Sequence, residues 1–126
     1  NEFIELCKKP YIDCVSILGG EPLQQHRAEF SDFLDSLQSI NKPIYLWSGY
    51  TYEEIMNSDN SYVLEKIDYL IDGKYVEELK DYTLKLRGSS NQRIIDCKRS
   101  VDMFLKNGSN EPILTLDIYE KGVECT

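Results

Sequence analysis

Short apolar runs alternate along this chain with a long stripe of helical spacing, and that alternation predicts a parallel α/β sheet. Residues 13–18 form a compact apolar run closed by Gly19-Gly20, as expected of a buried parallel strand. Between residues 22 and 40, Leu23, Phe30, Phe33, Leu34, Leu37 and Ile40 recur at three- and four-residue steps, which gives one helical stripe. Asn41-Lys42-Pro43 breaks it, and residues 44–47 make the second strand. Thr51 with Glu54 three residues later is a capping box opening a short helix to about residue 57. A helical turn over 62–66 and a third strand over 67–71 follow. Three strands separated by helices call for right-handed crossovers. Further on the pattern weakens: residues 75–82 read as helical or irregular, 87–92 as a polar loop, 93–97 as a fourth strand, 99–106 as a helix and 112–118 as a final strand.

Composition narrows the function classes. The 126 residues make one domain, hydrophobic residues are 41% and charged residues 29%, so a core is expected and wholesale disorder is not. The net charge of −8 disfavours nucleic acid, whose phosphates such a chain repels. Arg87, Arg93, Lys98 and Arg99 are the nearest approach to a basic patch, and they read as a solvated face diluted by acids. No stretch approaches the ~20 apolar residues of a membrane span, and no basic-then-apolar leader is visible, so no membrane partner and a cytoplasmic setting are expected. Phe3, Ile4 and Cys7 give residues 1–10 the look of an amphipathic helix tail, read as a start inside a domain. Cys7, Cys14, Cys97 and Cys125 lack the close spacing of a zinc or iron–sulfur site, so reduced structural thiols and no metal site are expected. His26 has no ligand-spaced neighbour and reads as a surface residue.

Chemistry in parallel α/β folds gathers where strands end. Here the three strand exits carry Gly19-Gly20-Glu21-Pro22, Ser48-Gly49 and Asp72-Gly73-Lys74. Glycine admits close backbone approach, and proline suits a helix's first turn. Glu21 facing a ligand ammonium and Lys74 facing its carboxylate would grip a small zwitterion. An ordinary exposed Asp72–Lys74 pair is the competing reading of those two residues alone.

The wording of the motifs adds a resemblance. Residues 16–24, Ser-Ile-Leu-Gly-Gly-Glu-Pro-Leu-Gln, resemble the GGE motif of radical S-adenosylmethionine enzymes. Tyr45-Leu46-Trp47-Ser48-Gly49-Tyr50, Leu70-Ile71-Asp72-Gly73-Lys74-Tyr75 and the Arg87-Gly88-Ser89-Ser90-Asn91-Gln92-Arg93 stretch look like the activating proteins of anaerobic ribonucleoside-triphosphate reductase. The resemblance covers roughly residues 10 to 97. It implies the carboxyl-terminal part of a partial (β/α)6 radical-SAM barrel, with 1–97 as family core and 98–126 as an extension. It also implies an oxidoreductase whose [4Fe–4S] cluster and S-adenosylmethionine generate a radical that removes hydrogen from a glycine of the partner reductase, with a separate reducing electron donor. Carried over by position, Gly19, Gly20 and Glu21 would bind the methionyl amino group, Ser48 and Asp72 the methionyl part, and Lys74 the carboxylate. Trp47 stands where related formate-lyase activators have an acid, which weakens a cation site shared with Asp72. Arg87, Ser89, Asn91 and Gln92 are candidates for contact with ligand or partner.

One departure is large. The family's C-x3-C-x2-C triplet is absent from these residues, so the cluster is expected only in a full-length parent, and no catalytic residue is assigned here. Two functions compete. One is the S-adenosylmethionine-binding portion of a glycyl-radical activase. The other is a non-catalytic half-barrel that docks a protein partner. A generic α/β fold with coincidental polar strand ends is a third. An incomplete barrel would expose a sheet edge and leave a homodimer open.

Overall fold

The computed structural model describes residues 2–18, 22–24, 26–84 and 86–115. Four strands, β1 (Val15–Ile17), β2 (Ile44–Trp47), β3 (Tyr69–Asp72) and β4 (Arg93–Asp96), lie side by side in the order β1-β2-β3-β4. The β1–β2 and β2–β3 pairs are parallel, with Ser16 level with Tyr45 and Tyr45 level with Tyr69. The expected alternation of strand and helix is therefore present, and the three predicted strands fall within two residues of their places.

The fourth strand lies where a strand is expected and makes the sheet mostly rather than wholly parallel: β4 runs antiparallel to β3, placing Arg93 opposite Asp72. Parallel return requires a crossover of a dozen or more residues, normally a helix. Between β3 and β4 the only helical piece among the described residues is the 3-10 turn Glu77–Leu79, so the chain turns back alongside β3 instead. The predicted final strand shrinks to an isolated bridge between Ile95 and Leu114, and its end lies outside the described residues.

The helices collect on one face. These are α1 (Glu2–Cys7), α2 (Arg27–Gln38), α3 (Tyr52–Met56) and α4 (Cys97–Asn107), with 3-10 turns at Pro22–Gln24 and Ser61–Glu65. Helix α2 is shorter than the predicted stripe, because His26, exposed as expected, is extended at φ −59°, ψ 124° and α2 begins only after it. Its Phe30, Leu34 and Leu37 stack at helical spacing and bury against Val15, Ile44, Leu46 and Leu70 of the sheet. Full burial of each such side chain contributes about 1.5–3 kcal/mol. Lys42 donates its ammonium to the carbonyls of Cys7 and Lys9 at 2.6 and 2.7 Å, which anchors the end of α1 beside β2.

The opposite face is aromatic. Tyr45 stacks on Tyr69 with centroids 4.9 Å apart, Trp47 follows at 6.4 Å, and Ile71, Ile94 and Leu86 complete this smaller cluster. Burial pushes the Tyr45 phenol up to about 12.

Candidate functional site at the strand exits

Parallel pairing brings the carboxyl ends of β2 and β3 to one rim, and backbone hydrogen bonds continue the ladder past both strands. The Ser48 amide donates to Ile71 O at 3.1 Å, and the Gly73 amide donates to Tyr50 O at 3.1 Å. Ser48 is buried, and its Oγ accepts from the Tyr50 amide at 3.0 Å, which shapes the turn after β2. That turn feeds the capping box as predicted: Thr51 Oγ1 accepts from the Glu54 amide at 3.2 Å, and the Glu54 carboxylate accepts from the Thr51 amide at 2.9 Å.

Asp72 is 1% exposed and sits at the centre of this rim. Its Oδ2 accepts from the Tyr52 amide at 2.8 Å and from Arg93 Nη2 at 2.5 Å. Its Oδ1 accepts from the Arg93 amide at 3.2 Å and from Arg93 Nε at 3.1 Å. Arg93 turns its other side to Glu53, with Nη2 2.6 Å from Oε1. The hydrogen bonds it donates to Asp72 and then Glu53 raise the guanidinium's affinity for its proton, and the bond Glu53 accepts from Arg93 in turn lowers the Glu53 carboxyl. Asp72 therefore joins β3, β4 and the first turn of α3, and its hydrogen bonds are internal. It does not pair with Lys74, which is exposed at the same rim.

The sequence groups Arg93 with a solvated basic face, whereas the structure pairs it with Asp72 and Glu53. The signal was its position at the start of a strand, but only an antiparallel β4 puts it opposite Asp72, and strand direction was not visible in the apolar pattern.

The 87–92 loop clasps the β3 exit. Gln92 Nε2 donates to Gly73 O at 2.9 Å, while its Oε1 accepts from the Gly88 and Ser89 amides at 2.8 and 3.1 Å. Asn91 Nδ2 donates to Lys74 O at 2.8 Å, and Ser89 Oγ accepts from the Val76 amide at 3.1 Å. Gly73 adopts φ +93°, a conformation that glycine takes without a Cβ penalty. Arg87 donates from Nη1 to Gln92 O at 3.0 Å. Gly19, Gly20 and Glu21, the remaining predicted site residues, lie outside the described residues.

The thiols bear on the iron–sulfur expectation. Cys7 and Cys97 are free and buried, and burial drives the Cys97 thiol far above its ordinary range, away from the thiolate a metal requires. Cys14 is disulfide-bonded, which corrects the expectation of reduced thiols throughout. Among the described residues no three His, Cys, Asp or Glu side chains are grouped to hold a metal ion. Those residues do not fit a [4Fe–4S] cluster. No helix described here is long and apolar enough to cross a membrane.

Comparison with known proteins points in one direction. A family model described as a 4Fe-4S single cluster domain matches residues 1–95. The anaerobic ribonucleoside-triphosphate reductase-activating protein of Escherichia coli K12 is 41% identical over 83 residues, covering 62% of this chain and 52% of that protein. Proteins of the same name from Vibrio cholerae and from Enterobacteria phage T4 are each 40% identical, over 85 and 98 residues. The Vibrio match covers 64% of this chain and 53% of its relative, and the phage match 75% and 60%. No solved structure matches. The chain spans about half the length of the bacterial relatives it matches. It belongs to the 4Fe-4S single cluster domain family, and within it resembles the activating proteins of anaerobic ribonucleoside-triphosphate reductase.

Proposed function

We propose that this chain is the S-adenosylmethionine-binding portion of a radical-SAM activase that serves an anaerobic ribonucleotide reductase, and that its sheet is the carboxyl-terminal part of a partial (β/α)6 barrel. The observation that carries this reading is the shared rim of Ser48, Asp72 and Lys74 at the ends of adjacent parallel strands. The parallel strands β1, β2 and β3 in sequential order, with α1 to α4 packed on one face, are in keeping with a barrel wall. The relatives are named as activating proteins of anaerobic ribonucleoside-triphosphate reductase, which supports that reductase as the partner.

S-adenosylmethionine, when bound, would supply the radical chemistry. The chain's own residues bind and orient it. Lys74, exposed at the β3 exit, meets the carboxylate, and Glu21 with Gly19 and Gly20 meets the ammonium. Ser48 and Asp72 hold the intervening backbone. The cluster belongs to parts of the parent protein outside the described residues. A second reading, a non-catalytic half-barrel that binds a protein partner, is favoured by the absence of three convergent thiolates among the described residues.

Calorimetric titration of S-adenosylmethionine into the parent activase separates the two. Glu21→Ala and Lys74→Ala are each expected to weaken binding several-fold, as exposed charge contacts of ~0–1 kcal/mol do, with Lys106→Ala unchanged. Unaltered affinity in both variants sinks the rim assignment. A parent gene without a C-x3-C-x2-C upstream would favour the docking module.

A further inference from the structure

We propose that Gln92 and Asn91 are positioning residues for Lys74, an inference that rests on the carboxylate role given to Lys74 above. Gln92 Nε2 donates to Gly73 O at 2.9 Å, and Asn91 Nδ2 donates to Lys74 O at 2.8 Å. Those two carbonyls belong to the peptide groups on either side of the Lys74 Cα. Peptide groups are planar, so holding both fixes the two backbone dihedrals between them and the direction in which Cβ leaves. The Lys74 side chain itself stays exposed and makes no ion pair among the described residues.

The same loop grips the next two residues. Ser89 Oγ accepts from the Val76 amide at 3.1 Å, and a Cβ on Gly88 would stand 2.8 Å from Cδ1 of the Tyr75 ring. Glycine at 88 is therefore what lets the ring lie against the loop. Gln92 is anchored in turn: it is buried, and its Oε1 accepts from the Gly88 and Ser89 amides, which uses both lone pairs. Each residue from 73 to 76 thus meets a different residue of the 88–92 loop. The polar side chains of this loop, expected from the sequence to touch ligand or partner, act through the backbone of the β3 exit. A lysine on a long connection ordinarily gives up backbone freedom when it engages a ligand, which weakens binding. Residues 73–92 join β3 to β4 with one 3-10 turn among the described residues, and the clasp removes that freedom during folding.

Calorimetric titration of S-adenosylmethionine into the parent activase, arranged as a double-mutant cycle, tests this. Asn91→Ala, an uncharged change at an exposed position, is expected to weaken binding about two- to fivefold, as loss of one hydrogen bond does. Gln92→Met, similar in shape, should weaken it at least as much. Neither should weaken it further in a Lys74→Ala background, whereas a general loosening of the fold acts in both backgrounds. Amide hydrogen exchange of the 126-residue chain gives a readout that needs no ligand. There the Val76 amide should exchange at least about threefold faster in either variant, relative to Leu46 of the central strand. If Lys74→Ala weakens binding while Asn91→Ala and Gln92→Met do not, the positioning role is overturned and the rim reading stands. An effect of equal size in both backgrounds overturns it as well. If Lys74→Ala has no effect, the rim reading fails and takes the positioning role with it. Unchanged Val76 exchange overturns the clasp itself. Should Gln92→Met fail to fold, Asn91→Ala decides each of these outcomes.

Discussion

Asp72 illustrates how one side chain divides between ligand chemistry and architecture. Its carboxylate accepts four hydrogen bonds inside the fold, whereas Lys74 two residues on is exposed. Removing one partner of a buried, hydrogen-bonded ion pair costs about 3–5 kcal/mol, while surface changes stay within about 0.5 kcal/mol. Asp72→Ala is therefore expected to lower the unfolding free energy by about 3 kcal/mol, seen as a much lower urea midpoint at unchanged slope, and Lys74→Ala to leave both unchanged. Equal midpoints for the two variants would contradict the internal role of Asp72.

At the scale of elements, local chemistry was most legible where a pattern is self-contained. The box formed by Thr51 and Glu54 could be read from two residues, because a cap needs nothing beyond its own turn. The three parallel strands were legible because each is a short apolar run between breakers. Strand β4 was placed but not oriented, since direction depends on how the 73–92 connection returns, and that is a tertiary matter. The site was legible in the same uneven way. Ser48, Asp72 and Lys74 reach the expected rim, but the bond from Asp72 to the Tyr52 amide and the clasp of Gln92 on Gly73 join residues about twenty apart and leave no short-range trace. Helix α3 has five residues, too few to be stable alone, so its cap should matter. Thr51→Ala is expected to cost about 1 kcal/mol in denaturant unfolding, with Thr51→Ser nearly neutral.

On the scale of the whole molecule, the two margins of the sheet are unequal. The outer margin of β4 is already engaged: the Asp96 amide donates to Ile113 O at 2.9 Å, the Thr115 amide donates to Ile94 O at 3.1 Å, and Leu114 bridges Ile95. Along β1, among the described residues, no strand occupies the outer margin, and Leu18 just beyond it is 63% exposed. A sheet that can add strands on both sides polymerises without limit, whereas one blocked on a side can only terminate. Two copies joined β1 to β1 about a twofold axis would use up both reactive margins, so association stops at a stoichiometry of two. Sedimentation velocity across a concentration series should accordingly resolve monomer and dimer with no higher ladder, and Leu18→Lys, at an exposed position just beyond β1, should shift the mixture toward monomer.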